Sequence, residues 1–367
     1  MSNDVIAVAM SGGTDSSAAA ALLLESGASV VGVTLRLWPS IQVEQAEQVA
    51  ARLGIPFVEL DLHSEFRQIV VDYFIEEYRS GRTPNPCVVC NPAIKFGLLL
   101  NYARTQLGAQ KLATGHYARV EFDEQTQKWK LLRGIDRVKD QAYVLYRLGQ
   151  NQLRHIVFPL GHHTKEYARS VVDRLQLPVR RSESQDICFV TEGDYRKFLA
   201  KNAPELVQPG PILDTTGKVI GQHRGIAFYT VGQRRGLKVA AGKRLYVVSI
   251  DPEQNAIILG APEEAKKRTV TIESLTFVSG EKPAEPIVVS AKIRYNTQDA
   301  PARLEPMDCD RARLVFEEPQ FAPAPGQSAV LYQGDEVIGG GIIADERKPT
   351  SCDAVQSSLD RILGAAK

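Results

Sequence analysis

Three cysteines stand where thiol chemistry could occur. Cys87 and Cys90 form a Cys-x-x-Cys pair, and Cys188 lies far along the chain. A cysteine thiolate or persulfide is a strong sulfur nucleophile, so Cys90 and Cys188 are candidate catalytic residues. The alternative is that both are small apolar side chains of a core. The other two cysteines, Cys309 and Cys352, stand among ordinary polar residues and are interpreted as incidental thiols.

The same three cysteines are also a candidate metal-ligand set. A structural zinc site would need four ligands, and the chain has no second Cys-x-x-Cys. Thiolates from Cys87, Cys90 and Cys188 with one open position would suit a [4Fe–4S] cluster whose fourth iron holds sulfide. A persulfide route and a cluster route are therefore both open at this point.

A second motif has the residue types of a phosphate site. An apolar run at residues 5–10 leads into Ser-Gly-Gly-Thr-Asp-Ser-Ser at residues 11–17, and a helix is predicted to follow. The glycines let the backbone approach a phosphate, and hydroxyls and helical N–H groups can bind its oxygens. Since no Gly-Lys-Ser/Thr follows, this is not the P-loop with its lysine. A plain helix N-cap is the alternative, but the full motif in a strand–loop–helix context favours a phosphate site.

Alternating strands and helices must position these residues in the first half of the chain. Buried strands are predicted at residues 5–10, 29–35, 57–60 and 111–114, and helices at 15–26, 43–53, 66–78 and 94–107. Such alternation predicts an α/β fold with an open parallel sheet that is covered on both faces.

The second half of the chain differs in its proline content and in its pattern of predicted strands. Thirteen of the 20 prolines lie between Pro204 and Pro349, and short strands are predicted at residues 244–250, 256–259, 287–293, 313–316, 328–332 and 336–343. This pattern indicates a small β-barrel or sandwich, and we expect a β-barrel at the C-terminal end. The expected domains are residues 1–203, a small central domain at 204–268, the barrel at 269–350 and a tail at 351–367.

Charge points to a nucleic acid only locally. Lys and Arg number 44 against 43 Asp and Glu, which leaves a net charge of +1. Residues 215–250, however, contain no acidic residue and seven basic ones: Lys218, Arg224, Arg234, Arg235, Lys238, Lys243 and Arg244. We interpret this basic strip as a surface for RNA phosphates; the alternative is a solvated basic face. Within it, His223 and Tyr229 are candidate stacking partners for bases.

Composition excludes several classes of protein. The 367 residues are 44% apolar and 24% charged, which is typical of a globular protein with two or three domains. No apolar stretch approaches the roughly 20 residues of a membrane span, and the first residues lack the basic start of a signal peptide. Five cysteines in so long a chain do not make a disulfide scaffold. We expect a cytoplasmic protein.

Motifs along nearly the whole chain resemble those of one family. The segment at 11–17 resembles the loop of the PP-loop ATP pyrophosphatases, which cleave ATP between its α- and β-phosphates and adenylate an oxygen. Further motifs resemble the signature of the tRNA-specific 2-thiouridylases within that family. These are TPNPCVVCN at 83–91 with Ile94-Lys95-Phe96, TGHYAR at 114–119, KDQ at 139–141, SQDICF at 184–189 and GQRRGL at 232–237.

The resemblance implies an adenine nucleotide alpha hydrolase-like sheet domain and an ATP site. The implied ATP-binding residues are Ala9, Met10, Ser11, Gly12, Gly13, Thr14, Asp15, Ser16, Leu35 and Gly115. Asp15 is also a candidate catalytic residue, and Mg²⁺ is expected to offset the phosphate charge during adenylation.

The resemblance also implies roles for the cysteines. The residue matching Cys188 carries the transferred sulfur as a persulfide, the residue matching Cys90 attacks it, and a Cys90–Cys188 disulfide is the by-product. Many family members have Asp where this chain has Cys87. A thiol cannot serve as an acid or base in the same way as a carboxylate. Cys87 would instead be the third thiolate ligand in the cluster alternative.

The implied partner is tRNA. Residues that match tRNA-contacting positions of the family are Asn85, Pro86, Cys87, His116, Lys139, Asp140, Gln141, Arg294, Tyr295 and Gln327, to which the basic strip adds Arg234 and Arg235. For His116 the alternative is a hydrogen-bonded core histidine. A base inside a folded anticodon must be flipped out to reach buried chemistry.

The expected function is ATP-dependent 2-thiolation of the wobble uridine in anticodons, with tRNAs for Lys, Glu and Gln as substrates. A cysteine desulfurase or a relay protein would be the sulfur donor. One alternative is another PP-loop ligase or amidotransferase, which would give the cysteines no role. The other is a non-catalytic tRNA-binding protein, which would give the loop at 11–17 no role.

Overall fold

The computed structural model describes residues 5–39, 43–180, 187–190, 193–239, 242, 244–308 and 310–347. In chain order its strands are β1 (Val5–Ala9), β2 (Ser29–Arg36), β3 (Phe57–Asp61), β4 (Lys111–Ala113), β5 (Ala118–Asp123), β6 (Lys128–Arg133), β7 (Ile156–Val157), β8 (Gly210–Asp214), β9 (Val219–His223), β10 (Tyr246–Asp251), β11 (Ala256–Gly260), β12 (Lys266–Phe277), β13 (Ile287–Lys292), β14 (Ala300–Met307), β15 (Arg311–Phe321), β16 (Ser328–Gln333) and β17 (Glu336–Ile343).

The helices lie mainly in the first half of the chain. They are α1 (Thr14–Glu25), α2 (Glu44–Leu53), α3 (His63–Phe66), α4 (Asp72–Arg79), α5 (Cys87–Cys90), α6 (Leu100–Gln106), α7 (Gln150–Leu153), α8 (Lys165–Arg174) and α9 (Tyr195–Asn202). Short 3₁₀ turns occur at Ala142–Leu145, Pro204–Leu206 and Ile226–Phe228. No helix among the described residues is both long enough and apolar enough to cross a membrane.

A parallel sheet with strand order β3-β2-β1-β4-β7 confirms the predicted α/β fold. Alternate residues of β1 face opposite layers, as the two-residue period of a strand requires. Ala7 packs in an apolar cluster with the segment 88–103, and Val8 packs in another with α1, α2 and α8. Both faces of the sheet are thus covered, which explains why its central strand β1 is a continuous apolar run.

Two predicted helices contain π-helical segments. The helix expected at 66–78 runs through α3, a π segment at Arg67–Val71 and α4. The helix expected at 94–107 begins earlier, with α5, and passes through a π segment at Asn91–Leu99 into α6. A π segment widens the turn and changes which side chains share a face, and such segments are frequent at functional sites.

The second half forms two β domains. The strands β10-β11-β8-β9 make a small mixed sheet. The strands β12-β15-β14-β13-β16-β17 form a closed antiparallel barrel, because β17 pairs back with β12. The predicted C-terminal β-barrel is therefore confirmed.

A hairpin from the first half extends the barrel sheet. Strands β5 and β6 pair with each other, and β6 pairs with β17 through Leu131↔Val337 and Leu132↔Glu336. The sequence analysis did not predict this hairpin. It joins the first half of the chain to the barrel through backbone hydrogen bonds. One sheet therefore contains strands from both halves of the chain.

Candidate functional site

The loop after β1 has the geometry of a phosphate site. The backbone N–H of Ser11 donates to Ser16 Oγ at 3.1 Å, and the Oγ atoms of these two serines lie 3.2 Å apart. Gly13 is the N-cap of α1, and its carbonyl accepts from Ser17 Oγ at 2.8 Å. Gly12 has a φ of +72°, and a Cβ there would lie 2.7 Å from Gln45 Cβ, so the turn requires glycine. The loop therefore presents hydroxyls and the N-terminus of α1 at the carboxyl end of β1.

Asp15 is held by two side chains from distant parts of the chain. Lys165 Nζ lies 2.6 Å from Oδ1 and 2.8 Å from Oδ2 of Asp15. The hydroxyl of Tyr117 donates to Oδ1 at 2.8 Å. Burial, with the Asp15 carboxylate beside it, raises the pKa of Tyr117, so this hydroxyl keeps its proton. Neither Lys165 nor Tyr117 is among the residues predicted from the sequence, although Tyr117 lies within the motif TGHYAR.

Two neighbouring strands complete the edge of the sheet where the loop lies. β1 lies between β2 and β4, so the strand order reverses there and ligands are expected at the carboxyl ends. Leu35, near the end of β2, is half-buried. A Cβ on Gly115, just after β4, would lie 2.7 Å from the backbone carbon of Asp15. Gly115 is thus required for the approach of this strand end to α1.

The three cysteines differ in their exposure. Cys87 and Cys90 are the first and last residues of α5, and Cys90 packs among apolar side chains that include Phe74 and Phe189. Cys188 is exposed. Burial raises the pKa of the Cys90 thiol to about 12, and burial of the sulfur, with the nearby Cys87, raises the pKa of Cys188 to about 11 although the residue as a whole is exposed. The thiol pKa of Cys87 is raised by burial as well.

One cation acts on all three thiols. The ammonium of Lys95, in the π segment after α5, partly offsets the effect of burial and lowers the pKa of Cys87, Cys90 and Cys188. It also lowers the pKa of His116. Lys95 is therefore near enough to both the cysteines and His116 for its charge to act on them. The motif Ile94-Lys95-Phe96 contained this residue, but the sequence analysis gave it no role.

No preformed [4Fe–4S] site is seen among the described residues, and the cluster stays a prediction. Among the residues that the structure describes, which include Cys87, Cys90 and Cys188, no three Cys, His, Asp or Glu side chains are arranged to hold a metal ion. The three sulfurs nonetheless lie near one another, because, besides burial, the charges of Cys87 and Cys188 both raise the pKa of Cys90, and the charge of Cys87 raises the pKa of Cys188.

The segment before Cys87 is held by the barrel. Gln327 Nε2 donates to the carbonyl of Thr83 at 2.9 Å, and Asn85 Oδ1 accepts from the backbone N–H of Cys87 at 3.1 Å. Pro86 then serves as the N-cap of α5. Arg82 bridges Glu77 of α4, at 2.9 Å, and Glu273 of β12, at 2.8 Å. Asn85, Pro86 and Gln327 therefore lie together beside the first cysteine.

His116 is a hydrogen-bonded buried histidine. Its Nδ1 lies 2.7 Å from Thr114 Oγ1, and its ring contacts Phe96 and Phe158. Burial, and secondarily the nearby Lys95, lowers the pKa of His116 well below its usual range, so the ring is neutral at physiological pH. A neutral imidazole next to Gly115 can still hydrogen-bond a ligand, so its place in the tRNA set stays a prediction.

The triplet at 139–141 is mostly engaged with the protein itself. Asp140 is buried, and its Oδ1 accepts the backbone N–H groups of Gly134 and Ala142. Gln141 Oε1 accepts the backbone N–H of Tyr117 at 3.1 Å. Lys139 is half-buried. The structure thus brings the triplet next to Tyr117 and the phosphate loop.

Arg294 and Tyr295 lie near this triplet and the central domain. Arg294 Nη2 donates to the carbonyls of Val231, at 2.6 Å, and Ala322, at 2.8 Å. Tyr295 remains 37% exposed, and its ring contacts Tyr143. Arg294 therefore joins the central domain to the barrel, while Tyr295 presents a ring at the surface.

The basic strip lies on the surface of the central domain. Six of its seven basic residues are described, and all six are exposed: Lys218, Arg224, Arg234, Arg235, Lys238 and Arg244. The seventh, Lys243, lies outside the described residues. No described carboxylate forms a salt bridge with Arg234 or Arg235, and an open groove with apolar floor residues such as Leu237 runs between the basic side chains. The stacking interpretation of His223 and Tyr229 is wrong: both are buried, and their rings pack against each other.

Comparison with known proteins agrees with this architecture. Family models match residues 4–192 (tRNA methyl transferase HUP domain), 196–261 (tRNA methyl transferase PRC-barrel domain) and 267–343 (aminomethyltransferase beta-barrel domain). The fold and the loop thus define an α/β protein of the HUP class with two β domains.

Relatives identify the family within that class. The chain is 50% identical to the tRNA-specific 2-thiouridylase MnmA of Moorella thermoacetica, over 92% of this chain and 98% of the relative. It is 44% identical to that of Acetivibrio thermocellus (94% and 100%) and 46% identical to that of Carboxydothermus hydrogenoformans (92% and 97%). The chain belongs to the tRNA-specific 2-thiouridylase family.

Proposed function

We propose that this protein thiolates C2 of the wobble uridine in tRNA anticodons, at the expense of ATP. One chain of contacts carries the proposal. Gly115 packs on the backbone of Asp15 in the phosphate loop, His116 follows it, and Lys95 acts on both His116 and the cysteines. These interactions support a candidate adenylation site and a candidate sulfur site that lie close to each other.

The chemistry has two steps. First, the uridine O2 attacks the α-phosphorus of ATP; the bond to the β-phosphate breaks, and its electron pair leaves with pyrophosphate. Ala9 to Ser16, Leu35 and Gly115 would hold the nucleotide, and the carboxylate of Asp15 is an oxygen ligand of the type that Mg²⁺ prefers. Adenylation converts a poor leaving group into AMP.

In the second step, sulfur replaces the activated oxygen. We propose that Cys188 carries a persulfide and that the Cys90 thiolate attacks the Cys188 Sγ. The Sγ–Sγ bond forms, the bond to the terminal sulfur breaks, and that sulfur takes the electron pair and attacks C2. AMP then leaves with the original O2. A thiol reductant must supply two electrons to reduce the Cys90–Cys188 disulfide, and a cysteine desulfurase or relay protein would reload Cys188.

The raised pKa of the Cys90 thiol supports a gated sulfur step. Burial raises the pKa of this thiol to about 12, so the protonated, less nucleophilic form prevails at neutral pH. Lys95 is the cation that acts in the opposite direction. We propose that the full set of tRNA-contacting residues, from Asn85 to Gln327, brings the flipped base to this edge and so starts the reaction.

Product analysis tests the proposed function. AMP and pyrophosphate should appear in equal amounts with 2-thiouridine, and only when ATP, a persulfide donor and a tRNA with wobble uridine are present. A matched tRNA with cytidine at the wobble position is the control and should give neither product. Pyrophosphate without any thiolated tRNA would instead indicate another PP-loop ligase. Binding of tRNA with no ATP turnover would indicate a non-catalytic tRNA-binding protein.

The basic strip has a measurable electrostatic role. Replacing Arg234 and Arg235 together with alanine should weaken tRNA binding and reduce the slope of log K against log salt by roughly 2, because two phosphate contacts are lost. The slope is measured by titrating tRNA at several salt concentrations. The matched control replaces two exposed arginines of the sheet domain, Arg52 in α2 and Arg104 in α6, and should leave the slope unchanged. Equal slopes for the wild type and the Arg234/Arg235 variant would show that the strip is only a solvated face.

A further inference from the structure

We propose that Lys165 is a phosphate-binding residue of the nucleotide site, which Asp15 holds in place until ATP arrives. This inference rests on the proposed function, since it concerns the same ATP site. Neither the motifs nor the expected ATP-binding set pointed to Lys165, which lies 150 residues from its partner. The pair joins the first residue of α8 to the first turn of α1.

The position of Lys165 is fixed from both ends. Thr164 caps α8 by accepting the backbone N–H of Tyr167, and the backbone N–H of Lys165 itself donates to Asp136 Oδ2 at 3.0 Å. The ammonium then contacts both carboxylate oxygens of Asp15. Because its backbone and its charged end are both held, Lys165 is already ordered beside the loop.

The burial of the two partners is unequal. The side chain of Lys165 is 11% exposed, whereas that of Asp15 is 36% exposed. A buried ammonium is costly without a counter-charge, so some anion must neutralise it. Without nucleotide that anion is Asp15. The triphosphate of ATP, bound at the N-terminus of α1, would bring a stronger anion to the same place.

The chemistry of the loop requires a cation of this kind. Hydroxyls and backbone N–H groups at Ser11–Ser16 can orient phosphate oxygens, but this loop has no lysine of its own, unlike a P-loop. During adenylation, negative charge accumulates on the departing pyrophosphate, and a preorganised ammonium stabilises that charge. Lys165 would supply it, while Asp15 is released toward Mg²⁺.

A purely structural role makes a different prediction. If Lys165 only neutralises Asp15, then removing Lys165 weakens ATP binding because an unpaired carboxylate faces the phosphates. Removing both charges should then restore binding. If Lys165 itself contacts phosphate, removing both charges cannot restore binding. The variants Lys165→Met, Asp15→Asn and the double variant separate these two roles.

The experiment measures equilibrium binding of ATP to the full-length protein in EDTA, so that no Mg²⁺ bridges the carboxylate and the phosphates. We expect Lys165→Met to lose about 10- to 100-fold in affinity, the range of one charged hydrogen bond. Asp15→Asn should bind ATP more tightly than the wild type, because the Asp15 carboxylate no longer competes with the phosphates for Lys165. The double variant should bind as weakly as Lys165→Met.

The matched control is Arg174→Met. Arg174 forms a further ion pair between α8 and α1, with Glu25 at 2.7 Å, near the opposite ends of these helices. This variant should bind ATP like the wild type, and thermal melting of all variants checks their folding. Should Lys165→Met melt early, Lys165→Arg keeps the charge and should retain most of the affinity.

Two outcomes overturn the inference alone: wild-type affinity in Lys165→Met, and recovery of wild-type affinity in the double variant. A wild-type protein that binds no ATP, with or without Mg²⁺, would overturn the proposed function and the inference with it.

Discussion

Replacing Asp15 with alanine should abolish tRNA-dependent pyrophosphate release while leaving tRNA binding nearly intact. The carboxylate holds Lys165 and Tyr117 beside the loop, so its loss leaves a buried ammonium without a partner and disturbs the charge balance around the phosphates. Removal of one preorganised electrostatic group costs roughly 10²–10³-fold in rate. The measurement is the rate of pyrophosphate release at saturating tRNA and ATP with Mg²⁺.

The control for this variant is Glu25→Ala. Both carboxylates lie in α1 and each pairs with a basic residue of α8, but Glu25 is in the last turn, away from the loop. Glu25→Ala should release pyrophosphate at close to the wild-type rate. The tRNA affinity of Asp15→Ala should stay within about threefold of wild type, since the basic strip is a separate surface. Pyrophosphate release by Asp15→Ala at the wild-type rate would refute the assignment of the loop.

Local features of the chain were sufficient to predict the sheet domain and its loop. The strand β1 is an uninterrupted apolar run because helices cover both faces of the sheet, and this pattern is visible in the sequence. The glycines and serines at residues 11–17 indicate a tight turn and a helix N-terminus. Both features are determined by residues that are close together in the sequence. The bounds of α1 and α2 differ by one residue from those predicted.

Long-range pairing could not be predicted in this way. The contact between Lys165 and Asp15 depends on how α8 packs on α1, and nothing within the segment around Lys165 indicates that partner. The pairing of β6 with β17 likewise joins residues about 200 positions apart, so the hairpin at 118–133 had no local signal of its role. Burial explains the error at His223 and Tyr229, because polar and aromatic types alone do not tell a stacking surface from a packed core.

The sulfur route depends on how the three cysteines are arranged. Sequence spacing alone allowed a cluster, since the spacing of Cys87, Cys90 and Cys188 suits three thiolate ligands. The structure places Cys188 close enough to Cys90 for its charge to raise the pKa of the Cys90 thiol, and among the described residues no three side chains are arranged to hold a metal ion. The direct persulfide route needs only that Cys90 reach Cys188. We therefore favour that route.

Replacing Cys87 with serine distinguishes the two routes. If Cys90 and Cys188 alone transfer the sulfur, Cys87→Ser should retain thiolation activity within about tenfold of wild type, because serine is small and its hydroxyl also suits the first turn of a short helix. If a cluster were required, the same change should remove both iron and activity, since a serine hydroxyl is a much poorer ligand for such iron. The measurements are 2-thiouridine formed per enzyme with a persulfide donor, and the iron and acid-labile sulfide content after anaerobic purification.

Two further variants make the Cys87 result interpretable. Cys188→Ser should be inactive on either route and so measures the background, while Cys90→Ser should keep adenylation but stop sulfur transfer, because the attacking thiol is absent. An active, iron-free Cys87→Ser protein would leave persulfide transfer as the working route. Activity that follows iron content from one preparation to the next, together with an inactive Cys87→Ser, would contradict it. In that case the Cys90 thiol would have to leave its apolar cluster, and the arrangement of α5 seen here would not be the reactive one.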